Sequence, residues 1–342
     1  MLIHWKWWVT VAVLIVFLLA GQTAALLLGR LYYDQGGNSK WMATLVQTAA
    51  FPLLLVPLVL FPPPADDAEN PVPRPSLAKI SLIYVGLGLI IAGDNLMYSY
   101  GLLYLPASTY SLVCATQLAF NAVFSYFLNA QKLTPMIFNS VVLLTFSAAL
   151  LGVDEDSEGT TDASKGKYAL GFILTLGASL CYSLILSLMQ LTFQKVQKRE
   201  TFSVVLEMQL WTAVVASVVS VVGLFASGEW KTLRTEMGGF GKGKVAYVMT
   251  LVWTGISWQV ASVGVVGLIF VVSSLFSNVI STLALPVVPI FAVIFFHDSM
   301  GGIKVMAMLI ALWGFVSYIY QHYLDDAKGK KAVRELEGLS AC

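Results

Sequence analysis

Charge is what this sequence has least of. Lys and Arg number 20 and Asp and Glu 19, together 11% of 342 residues, where a soluble domain carries about 25%. That scarcity excludes an ordinary water-soluble enzyme. The net charge of +1 supplies neither a basic field nor an acidic tail, which leaves a nucleic-acid partner without support. Only three cysteines occur (Cys114, Cys181 and Cys342), and no CxxC pair or disulfide framework can be drawn from them. Histidines are as few: His4 and His322 lie near the chain ends and His297 stands beside Asp298, with no HExxH or Cys/His ligand spacing, so no metal or other cofactor is expected. Nucleophile elbows of the GxSxG type are missing too, and no catalytic residues are assigned. The glycine-rich stretch from Gly238 through Gly243 to Lys244 has the GxxxxGK spacing of a phosphate loop. Val245 stands where Ser or Thr must reach Mg²⁺, so a flexible surface loop is expected there instead.

What the chain has is apolar length. Hydrophobic residues make up 58%, the mean hydropathy is +0.78, and runs of about 20 apolar residues recur from end to end, each long enough to cross a bilayer. Ten spans are predicted, over 8–29, 41–61, 80–100, 107–128, 135–153, 168–192, 202–225, 245–270, 273–296 and 303–323. The first run, about 22 residues, is long for the apolar core of a signal peptide and is expected to stay as a helix.

The ten spans divide into two sets of five. A shift of 166 positions lays Gly101-Leu102-Leu103-Tyr104 on Gly267-Leu268-Ile269-Phe270, and Ser108 and Ser111 on Ser274 and Ser277. In both sets the third and fourth spans meet without an intervening charge. An odd number of spans per set gives the two sets opposite orientations, the inverted-repeat plan of many secondary transporters. The expected organisation is a first repeat over 1–153, an acidic connecting loop over 154–167, a second repeat over 168–323 and a polar tail over 324–342. Eleven Lys and Arg fall on the side of the N-terminus against nine opposite, which favours cytosolic termini.

Function is sought in the polar groups that a bilayer rejects. Two acids qualify: Asp94, in Gly93-Asp94-Asn95 of the third span, and Glu207, near Gln209 in the seventh. Burial disfavours the charged form of a carboxyl group, so each is a candidate proton carrier. Gln47 overlays Gln209 when the second and seventh spans are aligned. The eighth span adds Trp253, Trp258 and Gln259, while Gln117 and Asn121 share one face of the fourth and Asn278 and Thr282 one face of the ninth. Any single amide can serve as interhelical glue. Gathered at one depth, amides and an indole suit a flat, neutral, hydrogen-bonding ring, although a sugar uses the same groups. No Lys or Arg cluster lies inside the spans, which argues against a phosphorylated substrate.

Long segments then resemble the plant purine permeases of the drug/metabolite transporter superfamily. They include GRLYYDQGGNSKWMATLVQTA from Gly29, GDNLMYSYGLLYLPASTYSLVCATQLAFNAVFSYFLNAQKLTP from Gly93, and SWQVASVGVVGLIFVVSSLFSNVISTLALPVVPIFAVIFFHD from Ser257. The resemblance runs over nearly the whole chain and departs at the N-terminus, where the family's polar leader is almost missing. It implies an all-α polytopic protein of ten transmembrane helices in two inverted five-helix repeats, alternating access, and proton-coupled uptake of adenine-like bases and cytokinins. On it rest the site expectations: Asn95, Gln117, Gln209, Trp258 and Gln259 for the base, Asp94 and Glu207 for the proton. Pro286, Pro289 and Pro106 are expected to kink or end gating helices. The plasma membrane is the expected location. The rival is a facilitator or exporter of a sugar, an alkaloid or another nitrogenous metabolite on the same fold, ahead of a membrane-embedded enzyme or a passive channel.

Overall fold

A chain this apolar has few ways to satisfy its backbone in lipid, and the helix is the one that needs no partner strand. The computed structural model describes residues 2–60, 76–130, 134–154, 162–197, 202–284, 293–294, 301–317, 320–321 and 324, and every regular element among these is helical. In chain order they are α1 (Leu2–Asp34), α2 (Lys40–Ala49), α3 (Leu55–Leu60), α4 (Leu77–Tyr104), α5 (Ala107–Cys114), α6 (Gln117–Asn129) and α7 (Pro135–Asp154). Then follow α8 (Asp162–Thr192), α9 (Phe202–Ala226), α10 (Leu233–Gly239), α11 (Lys244–Val271), α12 (Ser274–Ala284) and α13 (Gly302–Ser317).

Seven helices among the described residues are long and apolar enough to cross a membrane: Lys6–Asp34, Lys40–Val59, Leu77–Tyr104, Thr109–Asn129, Lys165–Gln197, Phe202–Ala226 and Lys244–Val271. Helices α7, α12 and α13 stand at the fifth, ninth and tenth predicted spans. Pro286, Pro289, His297, Asp298 and the tail over 325–342 lie outside the described residues, as do residues 155–161 of the acidic loop.

Several helices outrun their predicted spans. α1 extends past 8–29 at both ends, and α8 starts at Asp162 rather than 168. Hydropathy marks the hydrocarbon core, whereas the hydrogen-bond ladder continues through the headgroup layer. The fourth span departs in a different way. It is broken into α5 and α6 at Ala115 and Thr116, where the Thr116 N–H and its hydroxyl both donate to the Val113 carbonyl, at 3.1 and 2.8 Å. The second span bends where Pro52 opens a 3₁₀ turn, Phe51–Leu54, between α2 and α3. Pro106 N-caps α5, two residues after α4 ends at Tyr104.

Many polar side chains are buried beside the apolar core, while large apolar ones cover the outside, unlike a soluble bundle. Asn121, Ser183, Ser187 and Asn278 are fully buried, while Val16, Phe127, Ile173 and Trp313 are each at least 60% exposed and face where lipid belongs. The most extensive pairings are α1 along α11 and α4 along α8; α9 packs on α2 and α4, and α6 on α8 and α12.

Glycines set the closeness of the α1–α11 seam. A Cβ on Gly21 would stand 2.7 Å from the Ala261 nitrogen, and one on Gly264 would stand 2.7 Å from the Leu14 carbonyl oxygen. Backbone meets backbone here, as small residues permit between membrane helices. Gly264→Val is therefore expected to destabilise the protein by about 3 kcal/mol or more. Thermal unfolding in detergent should fall well below that of Gly86→Ala, whose added Cβ meets nothing within 4 Å.

Candidate substrate site

The two larger buried hydrophobic clusters among the described residues are one including Leu26, Tyr110, Cys114 and Tyr247 and one including Leu18, Ile185, Met189 and Val265. Where they meet the helices enclose a cavity of about 120 Å³, space for roughly eight waters or for one planar bicyclic ring with some water left.

Helical phase decides which side chains reach it. From α4 come Ile91, Asp94, Asn95 and Tyr98; from α8 Tyr182, Ile185, Leu186 and Met189; from α9 Gln209, Thr212 and Ala213; from α11 Trp258, Ala261, Ser262 and Val265. Each set follows the three-and-four spacing of one helix face. α1 adds Leu18, Gln22 and Leu26, the second span Gln47 and Thr48, and the broken fourth span Tyr110, Cys114 and Gln117.

The structure thus brings Asp94, Asn95, Gln117, Gln209 and Trp258 together on one cavity and leaves two expected site residues off it. Glu207 is exposed. It lies two positions from Gln209, which turns it about 200° around α9. Gln259 is buried, with its Nε2 lacking a hydrogen-bond partner, but it follows Trp258 by one position and falls outside the face that α11 turns to the cavity. Trp253 is 56% exposed and points away as well.

The amides divide into two kinds. Gln117 is held: its Nε2 donates to Ser281 Oγ at 3.3 Å, and its main-chain carbonyl accepts from Ser183 Oγ at 2.6 Å and from Asn278 Nδ2 at 3.1 Å. Ser281 Oγ in turn donates to Gln22 Oε1 at 2.7 Å. These bonds fix the start of α6 against α8, α12 and α1, a discontinuous helix of the kind that lines transporter sites. Asn121 is spent entirely on packing, donating to the Ser274 carbonyl at 3.3 Å and accepting from Ser187 at 3.0 Å. Gln47 donates to the Asn95 carbonyl and Ser99 Oγ at 3.2 and 3.1 Å. Asn95 and Gln209 differ in that no side-chain hydrogen bond holds their amides among the described residues, which leaves both free to turn to a ligand.

Among the described residues Asp94 is the sole carboxylic acid on the cavity wall, and no Lys, Arg or His shares that wall. The side chain is 3% exposed and its Oδ1 is buried without a hydrogen-bond partner among those residues. Tyr98, Tyr110, Cys114 and Tyr182 stand within electrostatic reach, and Tyr98 meets Tyr110 edge to face with centroids 5.9 Å apart. The aromatic walls therefore come from tyrosines as much as from Trp258. These tyrosines and Gln22 were not among the sequence-derived site residues; for Gln22 the available signal was an amide in the middle of an otherwise apolar first span.

A family described as purine nucleobase transmembrane transport matches residues 9–328. Among similar proteins of Arabidopsis thaliana, probable purine permease 11 is 63% identical over 333 residues, covering 97% of this chain and 88% of that protein. Probable purine permease 10 is 55% identical and purine permease 21 is 54% identical, each aligned over 96% of this chain and 84% of its own length. With a family match over nearly all its length and an interior cavity walled by amides, tyrosines and one acid, the chain belongs to the plant purine permease family, multi-pass membrane transporters rather than enzymes.

Proposed function

We propose that the protein is a secondary active importer of purine bases such as adenine, and of related cytokinins, working by proton symport and alternating access. The observation that carries this reading is the composition of the cavity wall, which among the described residues holds a single carboxylic acid with no counter-ion, beside two unengaged amides and a tryptophan. An amide donates and accepts in one plane, as the edge of adenine requires, and an indole face stacks on the ring. Asn95 and Gln209 bind the base edge, Trp258 stacks on it, and Gln117 shapes the floor. Asp94 carries the proton, because an ionised carboxylate without a partner is costly inside a membrane and a neutral one is not. Binding of base and proton favour the same conformer, which couples their movement.

The architecture that goes with this reading is ten helices in two inverted repeats, over 1–153 and 168–323. Packing supports it. The repeat relation exchanges α1 with α8 and α4 with α11, and under it the α1–α11 seam becomes the α8–α4 seam, the two most extensive in the molecule. Matching glycines support it as well: a Cβ on Gly267 would crowd Leu14 of α1, and one on Gly101 would crowd Thr175 of α8. The termini face the cytosol and the protein resides in the plasma membrane.

A second reading draws on the same unpartnered carboxylate: Asp94 serves as counter-ion to a cationic nitrogenous metabolite, carried by facilitation or export. Purified protein in liposomes separates the two. Labelled adenine should accumulate unchanged when the proton gradient points inward and only equilibrate without it. Competition of a cationic alkaloid but not of unlabelled adenine would favour the second reading.

A further inference from the structure

Two carboxylates lie beyond one end of the cavity. A second pocket of about 30 Å³ shares Gln47, Tyr98, Tyr110 and Trp258 with the main cavity and continues it toward the C-terminal end of α1, where Tyr32 and Tyr33 wall it. Beyond Tyr32 lies the segment joining α9 to α11. That segment holds a 3₁₀ turn, Glu229–Lys231, and the helix α10, after which the glycine-rich stretch turns through residues 240–243 into α11.

Its two acids bind the first half of the chain. Glu236 Oε1 accepts from the Tyr32 hydroxyl and, at 3.0 Å, from the Tyr247 hydroxyl, while Oε2 accepts from the Ser39 N–H at 3.1 Å. Glu229 Oε2 accepts from Ser39 Oγ at 2.7 Å and from the Trp41 N–H at 3.1 Å, and its Oε1 lies 3.4 Å from Lys40 Nζ. Ser39 is also the N-cap of α2, accepting from the Met42 N–H. Two carboxylates thus sit at the positive end of a helix and collect charge-assisted hydrogen bonds there. Both are only half-buried, so water can take over each bond when it breaks. Among the described residues the other end of the bundle is closed differently, by neutral groups: Gln190 with Ser274 and Asn129, and Gln197 with Tyr84.

We propose that Glu229 and Glu236 form a latch that shuts the pathway at this face and releases each time substrate passes between the cavity and that side. They are positioning residues that act on access and do not touch the base. The proposal rests on a single cavity serving both faces in turn.

Cys114 lines the cavity and is 4% exposed, which makes it a native reporter once Cys181 and Cys342 are replaced by Ala. An impermeant thiol reagent is added to one side of oriented vesicles at a time, with Lys231→Cys identifying the face that carries the latch. Replacing both acids, Glu229→Gln with Glu236→Gln, should speed Cys114 labelling from that face by about tenfold or more, the weight of a charged hydrogen bond, and should lower net accumulation of adenine. Tyr247→Phe removes one donor and keeps its ring against Phe240; it should give about threefold and decides the matter if the double variant does not fold. Unchanged labelling from the latch face, or equal acceleration from both faces, overturns the latch. Adenine binding in detergent is measured alongside: its absence from the unaltered protein sinks the purine reading, whereas its presence with unchanged labelling sinks the latch alone.

Discussion

Asp94→Asn should abolish accumulation of labelled adenine against a gradient while leaving counterflow exchange of the base across the same vesicles. Asn keeps the size and polarity of the side chain and loses the ability to take up and release a proton. With a one-for-one symport, each unit of pH difference supports about tenfold accumulation, since a unit corresponds to 1.36 kcal/mol. The variant should bring that ratio to about one. Exchange needs only the cavity to alternate with the base bound, so it persists. Glu207→Gln serves as the comparison: the residue is exposed on the face of α9 turned from the cavity, and its replacement should leave the ratio intact. Retained accumulation in Asp94→Asn would end the coupling assignment.

Gln209→Met should raise the KM for adenine by about 10- to 100-fold with a smaller change in maximal rate. Methionine preserves length and volume, so the fold is spared and only the amide is lost. A buried ligand group left without its partner costs about 1 to 3 kcal/mol, and a site built around a hydrogen bond discriminates strongly when the bond is removed. Asn95→Leu should behave alike. Asn121→Leu should not: its amide is already engaged by Ser274 and Ser187, and its loss lowers thermal stability before it touches affinity. Equal KM values for Gln209→Met and the unaltered protein would remove that amide from the substrate's neighbours.

Much of this was legible in the sequence because lipid is a strict solvent. Scarce charge and repeated apolar runs dictated a helical membrane protein, and polar residues inside those runs marked the interior. Asp94, Asn95, Gln117, Gln209 and Trp258 were found by that rule, and all line one cavity. Glu207 and Gln259 were chosen by residue type and depth, and those criteria ignore rotation about the helix axis. The tyrosines were passed over since Tyr is common at membrane interfaces, and sequence alone does not separate Tyr98 or Tyr182 in the wall from a tyrosine at the headgroups. The break at Ala115 and Thr116 carries no Pro or Gly. It is held by Ser183 and Asn278, bonds that span 66 and 161 positions and leave no local trace. The latch is equally non-local, joining Ser39 to Glu229 across 190 positions.

The glycine seam has a consequence for what can move as one piece. Gly21 and Gly264 bring two backbones to within contact, so α1 and α11 form one unit, and the packing of α4 with α8, second in extent, ties those helices in the same way. Each tied pair takes one helix from before Asp154 and one from after Asp162. Under the alternating access proposed above, the moving bodies are woven from both ends of the polypeptide, and severing the chain between those residues would still leave each of these pairs stitched across the cut.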